Sequence, residues 1–329
     1  MALLDWHALH GDAFSGTRCL VTGGAGFIGS HLTEALVTLG ADVVVLDDLT
    51  GGDLDNLDWY TPGAGSGVLT TVEGSITAPD TLAAVCAGAR YVFHQAAWGS
   101  VPRSVAMPAE YHAINTTGTF NVLEAARAAG VRRVMFAASS SAYGDTPTLP
   151  KQEDMPVSPR SPYAANKVAG EAMMQAWACA YGEQLDTASL RYFNIFGPRQ
   201  NANSAYAAVI AAFEKALRAG ERPVIFGDGE ASRDFTFVDN AVHANLLAAR
   251  SDTPIGGRVM NIACGQRVTI NQLAARMAAE LGRSDLTPEH RPDRPGDVKH
   301  SLADLSLAEA LIGYTARVDF AEGLAHVLA

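Results

Sequence analysis

Arg18-Cys-Leu-Val-Thr22 runs without a break into Gly23-Gly-Ala-Gly26-Phe27-Ile28-Gly29. The first five residues read as a short buried strand. The glycines read as a turn opening a helix through Ser30 to Leu39, stopped at Gly40. A second apolar strand, Asp42 to Leu46, ends on Asp47-Asp48. Strand, glycine turn, helix and acid-tipped strand make a dinucleotide site. The glycines let backbone approach a pyrophosphate, and the helix start offers free N–H groups and a partial positive charge. Asp47 is placed to accept hydrogen bonds from an adenosine ribose, and no arginine follows directly to take a 2′-phosphate. The pattern favours NAD over NADP.

The alternation extends in both directions. Leu3, Leu4, Trp6 and Leu9 predict a short amphipathic helix before the first strand. After a loop at Pro62–Gly67, strands are expected at Val68–Val72 and Tyr91–His94, with a helix at Thr81–Ala87 between them. Gln95-Ala96-Ala97 would let a cofactor lie close to the backbone. A helix from Asn115 to Ala129 precedes the strand Arg133–Ala137, which delivers Ser139. The expected fold is α/β, a Rossmann-type doubly wound parallel sheet. Beyond the strand Thr187–Asn194 the pattern becomes irregular. Helices are expected at Tyr206–Ala219 and Leu273–Leu281, with Arg233–Asp239 leading into another that runs through Ala249, a strand at Pro223–Phe226, and a charged turn at Arg291–Asp297. We therefore expect an NAD-binding domain over 1–192, with a returning segment near 236–262. A smaller mixed α/β substrate-binding lobe over 193–329 would close on the crevice.

Within that frame the chemistry centres on Ser161-Pro-Tyr163-Ala-Ala-Asn-Lys167. Ser161 suits an N-cap and Pro162 the first helical position, so Tyr163 and Lys167 fall one turn apart on one face. An ordinary phenol is roughly 0.1% ionised at pH 7, and making it a base at neutrality needs about 4 kcal/mol of stabilisation. A lysine cation one turn away and a positive nicotinamide ring are the right stabilisers. Ser139, at the carboxyl end of a strand, can share the proton of a substrate alcohol. Ligands of open parallel sheets bind at those ends.

The chain has 329 residues, 48% hydrophobic and 18% charged, enough to bury a large core. Its net charge of −11 argues against nucleic acid or an anionic membrane as partners, though not against a phosphorylated small molecule. Four scattered cysteines without a Cys-x-x-Cys pair fit a reduced compartment. No apolar run is long enough to span a bilayer, and the first residues lack the features of a signal peptide. A cytoplasmic location is expected. The nine histidines show no metal-ligand spacing, so no metal site is expected.

Thr22-Gly-Gly-Ala-Gly-Phe-Ile-Gly29, Ser139-Ser-Ser-Ala-Tyr-Gly144, Ser161–Lys167, Arg191-Tyr-Phe-Asn194 and Arg233-Asp-Phe235 together resemble the extended short-chain dehydrogenase/reductase family, from about Thr17 almost to the C-terminus. Within it the chain is most similar to the UDP-hexose 4-epimerases, especially those acting on UDP-N-acetylglucosamine. That likeness rests on His94-Gln-Ala-Ala-Trp-Gly-Ser-Val-Pro-Arg103 and Gly197-Pro-Arg-Gln-Asn-Ala-Asn-Ser-Ala-Tyr-Ala-Ala-Val-Ile210. The resemblance implies a tightly bound NAD, regenerated in each turnover. It would be held by Gly23, Gly26, Phe27, Ile28 and Gly29, by Asp47 and Asp48, and by Ser75 and Ile76. Gln95, Ala96, Ala97, Asn115, Tyr163, Lys167 and Tyr192 would complete its contacts. Tyr163 would take the 4-hydroxyl proton of the sugar, helped by Ser139 or Ser140, with Lys167 lowering the tyrosine pKa. Asn194, Arg233 and Arg294 would hold the diphosphate, with Tyr206, Ala207 and Val209 near the nucleotide. Ser100, Val101, Ser139, Ser141, Phe226 and Asp297 are further implied substrate contacts.

Related reactions separate by residue. The family's 4,6-dehydratases carry an Asp-Glu pair where Ser140 and Ser141 stand, so elimination lacks its acid and base. Glucuronate epimerases typically have threonine at Asn194 and arginine near Asn201. The position of Ser301 resembles the gate that a tyrosine fills in epimerases confined to UDP-glucose; serine leaves room for an N-acetyl group. Ser75 departs from the family's usual aspartate beside adenine. The family usually dimerises through a four-helix bundle that includes the Tyr–Lys helix, which would make Met173, Met174 and Trp177 a seam or part of the core. Alternatives are an epimerase restricted to UDP-glucose or UDP-glucuronate, and a non-catalytic NAD-binding sensor.

Overall fold

A short helix, α1 (Trp6–His10), capped by Asp5, precedes the first strand. The computed structural model describes residues 2–63, 67–200, 209–292 and 299–329. The order continues with β1 (Arg18–Thr22), α2 (Phe27–Thr38), β2 (Asp42–Asp47), β3 (Val68–Glu73), α3 (Pro79–Cys86), β4 (Tyr91–His94), α4 (Val101–Ala106) and α5 (Pro108–His112). One π turn (Ala113–Thr117) joins α5 to α6 (Gly118–Ala128), followed by β5 (Arg133–Ser139), α7 (Pro162–Tyr181) and β6 (Asp186–Tyr192). Beyond these lie α8 (Val209–Arg218), α9 (Val238–Arg250), the strand Val259–Ile262, α10 (Ile270–Glu280), α11 (Ser306–Ile312) and α12 (Phe320–Leu328).

Seven strands form one sheet in the order Val259–Ile262, β6, β5, β4, β1, β2, β3, all parallel. The winding reverses between β1 and β4, which opens a crevice at their carboxyl ends. Successive side chains of a strand face opposite layers. Cys19 and Val21 of β1 accordingly join the core beneath α2 and α9, while Leu20 joins the core beneath α3, α6 and α7. Central strands covered on both faces need continuous apolar runs, which is why Val43 to Leu46 and Val134 to Phe136 are all buried. β3, at the edge, is largely exposed.

A third apolar cluster sits beyond β6. Phe196, Phe235, Phe237 and Phe320 pack with ring centroids 5.6–6.4 Å apart, under α8, α10 and α12. Three two-stranded pairings frame it: Ile195–Phe196 with Thr236–Phe237, Ser232–Arg233 with Val268–Thr269, and Val224–Phe226 with Glu289–Arg291. α9 then returns to the main sheet, and every residue from Val238 to Ala249 is buried. Among the described residues no helix is long and apolar enough to cross a membrane.

Arg133 ties that return to β5. Its guanidinium is 2% exposed, donates to Asp186 at 2.6 Å, and donates to the Ala248, Ala249, Ser251 and Thr253 carbonyls at and beyond the α9 C-terminus. A cation there satisfies carbonyls that the helix end leaves open. Arg133→Met, which leaves Asp186 with backbone donors but no cation and frees the carbonyls at the α9 end, is expected to lower the unfolding free energy by about 3–5 kcal/mol in urea titration. A loss of less than about 1 kcal/mol would show that the pair is dispensable.

Candidate active site

The turn between β1 and α2 is shaped for close approach. Gly23 has φ +71°, and a Cβ there would lie 2.6 Å from the Ala96 backbone nitrogen. A Cβ on Gly29 would lie 2.0 Å from the Gly23 carbonyl oxygen. Only glycine fits either place, and the start of α2 is left open toward a cavity of about 400 Å³. Gly23, Gly26, Phe27, Ile28 and Gly29 line it, with Asp47 and Asp48 at the end of β2 and Gln95, Ala96 and Ala97 after β4. Of the rest of the predicted set, Ile76, Tyr163, Lys167 and Tyr192 also line it.

Asp47 accepts from the backbone N–H groups of Ala25 (3.0 Å) and Leu49 (2.9 Å), and burial pushes its carboxyl above the usual range. Thr50, Gly51 and Gly52 surround it on the cavity wall. A ribose acceptor with no cation among those neighbours suits NAD. The glycine cradle and this carboxylate fit that cofactor.

Two predicted contacts fall elsewhere. Ser75 does not line the cavity: its hydroxyl meets Thr77 Oγ1 (3.0 Å) and accepts from the Thr77 N–H, a local turn bond that holds it aside. Asn115 does not line it either. It is 2% exposed, and its amide takes both backbone groups of Trp98, accepting from the N–H (2.8 Å) and donating to the carbonyl (3.0 Å).

At the start of α7, Ser161 Oγ accepts from the Ala164 N–H (3.1 Å) and Pro162 takes the first helical position. Tyr163 and Lys167 then share the cavity face. Lys167 Nζ is buried, donates to the Ala137 carbonyl (2.7 Å), and lies 4.9 Å from the Phe136 ring centroid and 6.0 Å from that of Tyr163. Burial pulls its pKa from 10.5 to about 8, against the opposing pull of Glu171.

The Tyr163 phenol differs from expectation. Burial raises its pKa, the Ser139 hydroxyl draws it back, and Tyr111 raises it further. The protein alone does not make it acidic, because burial outweighs the Ser139 bond. Ser139 Oγ accepts from the N–H (3.2 Å) and the hydroxyl (2.9 Å) of Ser141, which leaves its own proton for Tyr163. Ser140 opens the 3₁₀ turn Ser140–Tyr143; none of Ser139, Ser140 and Ser141 lines this cavity or the one described below.

Beyond Tyr163 the cavity wall is Trp98, Gly99, Ser100, Arg103 and Tyr111. Trp98 lies between Arg103, 4.3 Å from guanidinium carbon to ring centroid, and Tyr111, edge-on at 5.4 Å. Ser100 gives its N–H to the Tyr111 hydroxyl (3.1 Å) and caps α4. Val101 is 42% exposed and lines neither cavity, since the first helical turn faces it outward. Sequence reasoning missed Trp98, Arg103 and Tyr111 as lining residues, although a serine N-cap at Ser100 followed by Pro102 signals the helix start that presents them. Tyr192 donates to Gln95 Oε1 (3.2 Å) and accepts from Asn245 (2.6 Å).

A second cavity, about 260 Å³, is lined by Asn194, Val209, Phe226 and Arg233 with apolar neighbours such as Phe235 and Ile270. Ser301 lines neither cavity. It is 8% exposed, and its hydroxyl accepts from Asn194 Nδ2 (3.2 Å) and the Asp234 N–H (3.2 Å). Asp234 beneath it accepts from the Cys264, Gly265 and Ala303 N–H groups, and burial raises its pKa to about 6. Asn201, Tyr206, Ala207, Arg294 and Asp297 lie outside the described residues.

Residues 19–263 match the NAD dependent epimerase/dehydratase family. The chain belongs to that family. One member, a UDP-glucose 4-epimerase of Mycolicibacterium smegmatis, is 40% identical over 311 residues, covering 94% of this chain and 96% of its own. Among solved structures, a UDP-N-acetylglucosamine 4-epimerase from Methanobrevibacter ruminantium in complex with UDP-N-acetylmuramic acid superposes with a TM-score of 0.89. It shares 40% identity, and the match covers 96% of this chain and 98% of that one. A UDP-glucose 4-epimerase from Thermotoga maritima with UDP-glucose gives 0.86 at 36% identity, over 95% and 97%. These relatives are 4-epimerases, a class of isomerase.

The pair Tyr163–Lys167 carries a pH signature. Lys167 titrates near 8, so a rise in pH through that value removes the cation that favours a phenolate. Turnover at saturating substrate is expected to fall above about pH 8, read from a pH–rate profile. Folding stability should move the other way. A lysine depressed below 10.5 in the fold favours its neutral form, so this contribution rises from about 8 toward 10.5. A rate still climbing at about pH 10 would contradict the assignment.

Proposed function

We propose that this chain is an NAD-dependent UDP-hexose 4-epimerase whose preferred pair is UDP-N-acetylglucosamine and UDP-N-acetylgalactosamine. The observation that carries the reaction class is that Tyr163 and Lys167 share one wall of a glycine-turn cavity, with the Ser139 hydroxyl hydrogen-bonded to Tyr163 behind it. Tyr163 Oη takes the proton of the sugar 4-hydroxyl, Ser139 Oγ donates to the oxygen that is losing it, and Lys167 holds the phenolate by charge. NAD, when bound, supplies the hydride acceptor that makes C4 a ketone and returns the hydride to the opposite face. Tyr163 then gives the proton back. Ser140 and Ser141 offer no carboxyl pair for elimination, which sets the reading apart from the dehydratases of the family.

For the sugar, support comes from Ser301 and Asn194, whose short side chains pack together beside Asp234. A tyrosine at 301 would have to displace the contact with Asn194, which lines the second cavity. The Methanobrevibacter structure that holds an N-acetylated UDP-sugar points the same way. Arg233, Arg294, Asn194, Tyr206, Ala207, Val209, Phe226 and Asp297 would hold the nucleotide and diphosphate, with Arg233 and Arg294 as planar forks for phosphate oxygens. We assign residues 1–192, with the return near 236–262, to cofactor binding and 193–329 to the substrate.

A homodimer through α6 and α7 is part of the same reading. Phe120 and Tyr181 are 43% and 37% exposed and pack on Trp177. Met174 is fully buried in the core, so the seam would be Phe120, Met173, Trp177 and Tyr181.

Turnover of UDP-N-acetylglucosamine, UDP-glucose and UDP-glucuronate, measured side by side without added NAD, tests the substrate. The acetylated sugar should give the highest kcat/KM, and Ser301→Tyr should remove it while sparing UDP-glucose. Turnover of UDP-glucuronate alone would refute the choice. Tyr163→Phe should keep bound NAD and lose about 10²–10⁴ in rate; full activity would refute the proton step.

A further inference from the structure

We propose that His94 is a positioning residue of the sugar site: as the neutral Nε2–H tautomer it joins the end of β1 to the π turn presenting Asn115, and so holds the Trp98–Ser100 wall beside Tyr163. The inference goes beyond the epimerase reading and rests on it only for its kinetic readout.

His94 ends β4 directly beside Thr22, its register partner at the end of β1. It is 1% exposed, yet both ring nitrogens are engaged: Nδ1 lies 2.8 Å from Thr22 Oγ1 and Nε2 lies 3.0 Å from Thr119 Oγ1. The proton order follows from bond chemistry. Thr119 donates its single hydroxyl proton to the Asn115 carbonyl (2.7 Å), which can only accept. Toward His94 the Thr119 oxygen must therefore accept, so Nε2 carries the hydrogen. The ring is neutral, because burial and the nearby Lys167 cation pull its pKa down to about 3. Nδ1 is then a bare lone pair, and Thr22 must donate to it. Thr22 Oγ1 in turn accepts from the Ala96 N–H at 3.4 Å.

One directed chain results: Ala96 N–H to Thr22, Thr22 to His94, His94 to Thr119, Thr119 to Asn115. Its first link touches the cofactor cradle, since Ala96 lines the cavity and sets the limit on Gly23. Its last link fixes the π turn, a helix fault associated with functional positions. The Asn115 side chain then clamps Trp98 by both backbone groups, and Trp98 stands against Tyr111, whose field reaches Tyr163. Each hydroxyl is used as donor and acceptor at once, so reversing one link would leave a buried group unpaired.

The tautomer is read directly from the isotope-labelled imidazole nitrogens by NMR, the His94 signals being identified by their loss in His94→Phe. Nε2 protonated and Nδ1 bare is the expected result; a proton on Nδ1 overturns the proposal whatever the substrate. For the kinetic arm, Thr119→Val removes donor and acceptor at constant volume. It should raise KM for UDP-N-acetylglucosamine about tenfold with a smaller change in kcat, and Thr119→Ser should restore it. Adding His94→Phe to Thr119→Val should cost little more, since both cut one chain. A KM unchanged in Thr119→Val, or additive losses in the double variant, overturns the positioning role. Should His94→Phe fail to fold, the Thr119 pair decides alone.

Discussion

A buried ammonium must find an acceptor, and in this chain it finds the Ala137 carbonyl. The 2.7 Å bond from Lys167 Nζ ties α7 to the end of β5, and much of the site geometry depends on it. It fixes the depth of Lys167 behind the Phe136 ring and the rotation of α7 about its axis. It thereby sets Tyr163 toward the crevice where β1 and β4 part. Ser139 lies two residues beyond Ala137 on the same strand, so strand and helix bring hydroxyl, phenol and ammonium together. At Tyr163 burial outweighs the Ser139 bond, and the phenol is held above its ordinary pKa.

The walls around this centre are rigid for a different reason. Buried polar groups have to be paired, and here the pairing runs in connected sets. Asn194, Ser301 and Asp234 form one, reaching to the backbone at Cys264, Gly265 and Ala303. The Thr22–His94–Thr119–Asn115 chain forms another. Each joins residues far apart in sequence, so each couples the sheet to loops that would otherwise set their own positions.

That separation also explains what could be read in advance. The β1–α2–β2 unit and the Tyr–Lys helix announce themselves locally, through glycine spacing, a serine cap with proline at the first helical position, and apolar periodicity. α4 and α5 are too short to show an apolar period, and only their prolines, with the Ser100 cap of α4, mark their starts. Asn115 reads as a cofactor contact from its place in the chain, but its partner is the Trp98 backbone, 17 residues away. Ser301 reads as open space because its residue type is small. Its side chain is in fact turned to Asn194, 107 residues earlier, a pairing that no local pattern encodes. Where the determinant was a backbone conformation the sequence was legible; where it was a long-range hydrogen bond it was not.

On the proposed reading, Tyr163 moves the sugar's hydroxyl proton beside Lys167 while hydride passes between the sugar and a cofactor that the glycine cradle holds through the turnover. Ultraviolet absorbance of the purified protein, mixed with UDP-N-acetylglucosamine and no added NAD, tests it most directly. Appearance of the reduced-nicotinamide band in the wild type, and its absence in Tyr163→Phe with NAD still bound, is the result expected. A protein that carries NAD but shows the band equally in both, or in neither while the sugar is turned over, would contradict it.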